Sequence, residues 1–175
     1  TAHGITGYDV PLIQSMAIDS TDENVYGIFG SMTINTAACV ESIVFKLPTD
    51  GTGAATIDNG TANIDIAAAA VGGDLTLTSG AATSGINYAI MDSGTVTVGG
   101  DLTATTDDNN GVINLGSLEV NGYLTLAPDR TGAVTIVNDE GLDLALSTMG
   151  GTFSGTATAG DITQNGNLVI TGGAT

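Results

Sequence analysis

Two short acidic segments hold the side chains best suited to bind a metal ion. TTDDNNG begins at residue 105, and VNDEGLD begins at residue 137. Both concentrate carboxylate and amide oxygens, which are the ligands that calcium takes in proteins. The candidate ligands are Asp107, Asp108, Asn109, Asp139, Glu140 and Asp143. Neither segment has the spacing of an EF-hand loop or of a calcium-binding Gly-Gly-x-Gly-x-Asp repeat, so calcium sites and simple solvated turns both remain open interpretations.

The sequence lacks the residue sets on which common catalytic mechanisms depend. Its one histidine, His3, lies near the first residue, and its one cysteine, Cys39, has no other histidine to activate it. No phosphate-binding G-x-x-x-x-G-K-[ST] segment occurs in the sequence. We therefore expect a protein that is not an enzyme and that takes no cofactor other than calcium.

The enzymatic alternative is a polysaccharide-degrading β-helix. Inverting glycosidases need two carboxyl groups about 6.5–9.5 Å apart, which stacked aspartates could supply. Lyases also need a basic group for proton abstraction, and Lys46 and Arg130 are the only lysine and arginine in the chain. Aromatic residues, on which sugar rings stack, make up 4% of the chain and include no tryptophan. These shortages argue against a hydrolase or a lyase.

The net charge of −17 excludes nucleic acid as a partner, because phosphate binding depends on lysine and arginine. The same charge is repelled by anionic membrane surfaces. The longest apolar run, IAAAAV from residue 66, is far shorter than the roughly 20 residues of a membrane-spanning helix. We therefore expect no insertion into a membrane.

A frame of valine, glycine and leucine recurs along the middle of the chain. V-x-G-x-L occurs at residues 71–75, 98–102 and 120–124, and a looser copy, TAGDI, begins at residue 158. Repeats of roughly 20 residues or more are typical of the coils of a solenoid. Each copy is therefore predicted to open the same strand of a successive coil, with the looser copy two coils after the third.

The residues around these frames alternate between apolar and polar with a period of two, as in DLTLTSG and YLTLAPD. This period places leucine on one face of a strand and threonine on the other. Asn-Gly pairs follow several strands and suit tight corners. The predicted fold class is therefore all-β, a β-solenoid resembling a parallel β-helix. A β-sandwich or an antiparallel meander is the alternative, because Asn-Gly is also the strongest hairpin signal.

The first fifty residues do not share the repeat. They are predicted to form a cap or assembly region over residues 1–50, built from bulkier strands or from a short helix over residues 37–46. Pro48 and the TDGTG that follows mark the boundary, and residues 51–175 form the repetitive solenoid. Solenoids need atypical terminal units to cover their end coils. No such unit is evident after NLVITGGAT at the other end, which leaves a strand edge open to another chain.

The units VGGDLTLTSG, VGGDLTATTD and VNGYLTLAPD resemble the degenerate repeats of secreted bacterial and archaeal β-solenoid surface proteins, such as filamentous adhesins and autotransporter passengers. The resemblance covers the chain from about residue 55 onward and carries over no functional residues. It implies an extracellular or cell-surface structural role, and we expect Thr1 to follow a signal sequence that has been removed.

A short solenoid with one open end favours a self-assembling subunit of a filament, sheath or surface layer, whose partners are copies of itself. The alternative is an adhesin module that binds a cell-surface glycan or a protein through a loop such as residues 105–111.

Overall fold

A computed structural model of the chain describes residues 53–60, 63–80, 88–107 and 110–175 in full, and three earlier strands by their backbone. The described residues form seventeen β-strands and no helix, so none of their segments is a helix that could span a membrane. The strands are β1 (Met16–Ala17), β2 (Met32–Asn35), β3 (Ile43–Pro48), β4 (Ala55–Asp58), β5 (Ile64–Val71), β6 (Leu75–Ser79), β7 (Ile90–Asp92), β8 (Val96–Val98), β9 (Leu102–Thr106), β10 (Ile113–Val120), β11 (Tyr123–Ala127), β12 (Val134–Asn138), β13 (Leu142–Leu144), β14 (Ser147–Met149), β15 (Phe153–Ala157), β16 (Ile162–Gln164) and β17 (Leu168–Ile170).

These strands stack into three sheets that run along the length of the molecule. Sheet A has the order β1, β2, β4, β6, β9, β11, β13 and β16. Sheet B has the order β3, β5, β7, β10, β12 and β15, with β8 paired to both β5 and β10, and sheet C pairs β14 with β17. Every pair between the described strands is parallel, whereas a meander of hairpins would be antiparallel. The described strands therefore form a β-solenoid, as predicted.

The V-x-G-x-L frame sets the register of sheet A. Leu75 pairs with Leu102, and Leu102 pairs with Leu124, so the three leucines form one column. All three are 0% exposed. The prediction that each copy of the frame opens the same strand of successive coils is confirmed for these copies.

The fourth copy, TAGDI, runs into β16, two coils after the third copy as predicted, but its predicted register is wrong. Leu124 pairs with Leu144, and Leu144 pairs with Gln164, so the leucine column continues into Gln164. Ile162, the last residue of TAGDI, lies beside Leu142 instead. Ile162 therefore lies two residues before the position of the leucine column, which Gln164 occupies.

Alternation along each strand separates the core from the surface. In β9, Leu102, Ala104 and Thr106 are buried while Thr103 and Thr105 are half-buried. The buried apolar residues of successive coils form one continuous cluster, from Ala55 to Phe153. Full burial of a leucine or isoleucine side chain contributes about 1.5–3 kcal/mol, so each coil is stabilised mainly by the coils on either side of it.

The glycine of the frame makes room for an aspartate of the preceding coil. Asp74 Oδ1 accepts a hydrogen bond of 2.9 Å from the backbone N–H of Asp101, and Asp101 Oδ1 accepts one of 2.9 Å from the N–H of Tyr123. A Cβ on Gly100 would lie 2.2 Å from Asp74 Oδ1, and a Cβ on Gly122 would lie 2.4 Å from Asp101 Oδ1. The absence of a side chain on the glycine of one coil therefore allows the aspartate of the coil before it to make this hydrogen bond.

This pairing predicts the effect of Gly100→Ala. The added Cβ would also lie 2.9 Å from the backbone carbon of Gly73, which cannot rotate away. We expect a loss of about 1–3 kcal/mol in the free energy of unfolding, measured by urea denaturation. Gly116→Ala is the matched control, because its Cβ meets nothing nearer than Asp92 Oδ1 at 3.9 Å. Equal losses for the two variants would contradict this account.

The N-terminal strands extend the solenoid. β2 pairs with β4 from Met32 and Ala55 onward, and β3 pairs with β5 with a register shift between Phe45 and Lys46. The sequence left two alternatives open for this region, bulkier strands or a short helix over residues 37–46. A strand forms at Ile43–Pro48, which overlaps the last residues of the predicted helix. The division at residue 50 and the role of residues 1–50 as a cap remain predictions.

Candidate functional site

An acidic depression lies where the chain passes from sheet B into sheet A near the C-terminal end. Its volume is about 190 Å³. The lining residues are Val120, Asn121, Gly122, Glu140, Gly141, Leu142, Asp143, Asp161 and Thr163. Three carboxylates from two neighbouring coils thus border one surface feature, whose lining contains no basic and no aromatic side chain.

Among these carboxylates, Asp143 has a buried oxygen without a hydrogen-bond partner in the described chain. It lies in β13 beside Tyr123 on one side and Thr163 on the other. Its Oδ1 is buried and accepts no hydrogen bond from the part of the chain that the structure describes. In this respect it differs from Asp74 and Asp101, whose Oδ1 atoms each accept a backbone hydrogen bond from the next coil.

The structure brings together two of the six predicted calcium ligands. Glu140 and Asp143 share the depression, and Asp161 joins them from the next coil. Asp139 is exposed and is not among the residues that line it. Asp107 follows β9 in a different corner, and Asp108 and Asn109 lie outside the described residues. No three His, Cys, Asp or Glu side chains within the described ranges come close enough together to hold a metal ion. Calcium binding by the six residues stays a prediction.

A second feature, which sequence reasoning missed, is a column of inward-facing polar side chains where sheet A ends. Asn59, Ser79 and Thr106 are all buried, at 0%, 0% and 3% exposure. Asn59 Nδ2 donates to the carbonyl of Asn63, Ser79 Oγ donates to that of Ala89, and Thr106 Oγ1 donates to that of Gly111. Each side chain thus bridges the corner from which its coil passes to sheet B. We call this position the loop corner. The connection from β6 to β7 is longer there than the corresponding connections of the neighbouring coils, and the strands on either side of it still pair.

The loop corner also holds the two residues other than glycine that have positive φ in the described chain. These are Asn110, with φ of 59°, and Arg130, with φ of 42°. Asn110 Oδ1 accepts a 2.9 Å hydrogen bond from the Thr131 hydroxyl, and Asp129 Oδ2 accepts one of 3.2 Å from the Asn110 N–H. The Arg130 side chain is 80% exposed and lies 3.8 Å from Asp129, so it is available to solvent. These contacts tie adjacent loops to each other.

The Asn-Gly-Thr sequence that begins at Asn59 has the pattern of an N-glycosylation site. Asn59 is fully buried, and its Nδ2 donates to the Asn63 carbonyl. Glycan transfer requires access to that nitrogen, so the folded solenoid protects this residue from modification.

The coil of residues 158–175 is exposed along its length, and we call it the terminal coil. None of its residues is buried, and Ile162 and Val169 are 57% and 45% exposed. Leu168 and Ile170 pack against the core on one side and are partly exposed on the other. Gly173 and Thr175 hydrogen-bond to Phe153 in β15 and so begin a further rung of sheet B.

The C-terminal part of the chain matches a known repeat family. Residues 131–175 match the family described as repeats of unknown function (DUF5649). This similarity agrees with a repeat protein and covers the last coils alone. No curated protein and no solved structure matches the chain.

Proposed function

We propose that this chain is a non-enzymatic structural protein of the cell surface or extracellular space, whose solenoids stack end to end as subunits of a filament, sheath or surface layer. The observation that carries the proposal is the parallel stacking of successive coils, which in sheet A runs from β4 through β6, β9, β11 and β13 to β16. Because every pair between the described strands is parallel, a further coil of the same kind extends the sheets by simple translation. Head-to-tail contacts of this type do not close on themselves and therefore generate filaments.

The backbone of β16 is arranged to accept another strand. The Asp161 carbonyl accepts a hydrogen bond from the Leu142 N–H, and the Asn165 N–H donates to the Leu144 carbonyl. Backbone groups of successive residues in a parallel strand point to opposite sides. The N–H and C=O groups of Ile162 and Gln164 therefore face away from β13, where strand addition would pair them.

The terminal coil also carries little charge, which lowers the electrostatic cost of contact between two copies. Asp161 is the only charged side chain between residues 158 and 175, in a protein of net charge −17. The contact would cover the exposed parts of Ile162, Val169, Leu168 and Ile170, and burial of apolar surface stabilises association by about 25 cal/mol per Å².

The acidic depression does not favour the alternative of a polysaccharide-degrading enzyme. Its lining has carboxylates but no basic side chain for the proton abstraction of a lyase, and no aromatic side chain for stacking of a sugar ring. The scarcity of lysine and arginine leaves few sites for trypsin-like proteases, which suits a protein exposed outside the cell.

A second candidate function is an adhesin module, which the loop corner favours. The Arg130 side chain is 80% exposed at this position, and Asn110 and Thr131 from adjacent coils are joined there by a hydrogen bond. Such a module would bind glycan or protein and remain monomeric.

Ile162→Pro tests the assembly proposal. Proline removes an N–H that faces away from β13 and obstructs strand addition, yet edge positions tolerate it because no hydrogen bond to β13 is lost. We expect the wild-type protein to form filaments that sediment and are visible by electron microscopy, and we expect Ile162→Pro to remain soluble and monomeric. Ile162→Val, which keeps the N–H and an apolar side chain, is the matched control and should assemble like the wild type.

Thermal unfolding followed by circular dichroism should show that all three proteins are folded. Filaments of Ile162→Pro that equal those of the wild type would exclude β16 as the contact. A wild-type protein that stays monodisperse at every concentration would overturn self-assembly and direct attention to glycan binding at the loop corner.

A further inference from the structure

The outward face of sheet A carries a column of threonines. Thr56 pairs with Thr76, Thr76 with Thr103, and Thr103 with Thr125, so four successive coils place threonine at the same position. Thr33 precedes Thr56 in the backbone register. The four described side chains are half-buried by their neighbours, and the residues on either side of each point into the core. We call this set the threonine column.

The geometry of the column is regular. Neighbouring strands lie about 4.8 Å apart, so the hydroxyl and methyl groups recur at that interval along the solenoid axis. β-branched side chains have few χ1 rotamers, which keeps the array ordered. In two of the coils Thr78 and Thr105 add a second threonine two residues along the strand.

The threonine column is an uncharged strip on an acidic molecule. The matching outward position in sheet B includes Asp65 beside Met91, and Glu119 accepts a 2.7 Å hydrogen bond from Thr97 on the same sheet. Charged residues border the threonine column without interrupting it. On one side Asp74 and Asp101 turn an oxygen toward the backbone of the next coil, and on the other side Asp58 lies beside Thr78.

We infer that the threonine column is a lateral contact between copies of this chain. A second copy presents a column with the same interval, so threonines from the two faces can interdigitate along their whole length, as identical side chains do between paired sheets. Because the strip itself carries no charge, two molecules of net charge −17 repel each other less across it than across the outward face of sheet B, which carries Asp65 and Glu119. The inference rests on the proposed function for its biological meaning, because lateral contact between stacked subunits converts single filaments into bundles or a sheath.

The size of the face determines when this contact is stable. Four rungs about 4.8 Å apart and strands of about five residues give a flat face on the order of 300 Å² per copy. Specific complexes bury about 800 Å² per partner. Two isolated copies are therefore expected to associate weakly, whereas filaments that align many such faces associate strongly by multivalency.

The test compares two glutamate variants of the full chain by electron microscopy. Thr103→Glu places a carboxylate in the middle of the threonine column, and Thr135→Glu places one at an outward position of β12 in sheet B as the matched control. We expect the wild type and Thr135→Glu to form bundles of parallel filaments, and Thr103→Glu to form filaments of single width. Wild-type filaments that never bundle, or bundles that persist in Thr103→Glu, would overturn the lateral contact while leaving end-to-end assembly intact.

A cross-linking measurement decides the inference even where no filament forms. Thr103→Cys and Thr135→Cys are each combined with Cys39→Ser and treated at high protein concentration with a thiol cross-linker of short reach. Weak face-to-face pairing predicts that dimers accumulate several-fold faster for Thr103→Cys. Equal rates for the two variants would exclude the threonine column as a preferred contact, whatever the outcome of the assembly assay.

Discussion

Leu102→Ala is expected to lower the free energy of unfolding by about 2–5 kcal/mol. Leu102 is 0% exposed and lies in the middle of the column between Leu75 and Leu124. Its removal leaves a cavity bounded by the coils above and below, whose backbones are fixed by hydrogen bonds and cannot close it. A solenoid is stabilised mainly by contacts between neighbouring coils, so this loss weakens both interfaces of the coil that contains β9.

The matched control for Leu102→Ala is Thr76→Ala, an outward-facing change in the adjacent coil. It should change the free energy of unfolding by no more than about 0.5 kcal/mol. Urea denaturation monitored by circular dichroism measures both. A loss for Leu102→Ala that is as small as the control would contradict the register of the leucine column.

Asn138→Leu is expected to destabilise the protein by about 2–4 kcal/mol, because two buried backbone groups would lose their partners. Asn138 is 0% exposed. Its Oδ1 accepts a 2.8 Å hydrogen bond from the Val120 N–H, and its Nδ2 donates to the carbonyls of Val120 at 3.0 Å and Gly141 at 2.6 Å. The side chain thus takes the place of a strand at the end of β10, beyond the bulge between Leu115 and Leu118.

Asn114→Leu is the control for Asn138→Leu, because Asn114 lies in the same sheet but faces outward from β10. We expect its effect on the urea midpoint to be small. If the two variants have equal midpoints, the hydrogen bonds of Asn138 to the backbone do not hold this corner together.

The strand content and the parallel stacking could be predicted from local patterns. Period-two alternation, as in β6 and β11, identifies strands with one buried face. Repetition of V-x-G-x-L identifies the stacking, because a solenoid places like residues above one another, as it does for Leu75, Leu102 and Leu124. The sequence alone does not show why the frame contains glycine. The structure shows that the glycine leaves space for the side chain of Asp74 or Asp101 from the preceding coil.

The register at the C-terminal end could not be predicted because corners differ in length. The column of Leu124 passes through Leu144 to the polar Gln164, whereas the apolar Ile162 lies two residues earlier. A pattern search that follows apolar residues selects Ile162. The backbone hydrogen bonds of β13 and β16, which determine the true register, leave no signal in residue type.

The candidate sites were predictable only in part, for a similar reason. Glu140 and Asp143 are near each other in sequence and remain so in the fold, but Asp161 reaches the same depression from the next coil. Asn59, Ser79 and Thr106 are residue types common in solvated turns, and their burial depends on their position at the inside of a corner. Their alignment in successive coils was the signal that could have identified them.

X-ray fibre diffraction from aligned wild-type filaments tests most directly the claim that these solenoids stack end to end. Strands that lie across the filament, with coils stacked along it, predict a strong reflection at about 4.8 Å on the meridian, parallel to the filament axis. The same reflection on the equator would show that the solenoids lie across the filament, and would contradict end-to-end stacking. A protein that forms no filaments at any concentration would contradict self-assembly altogether.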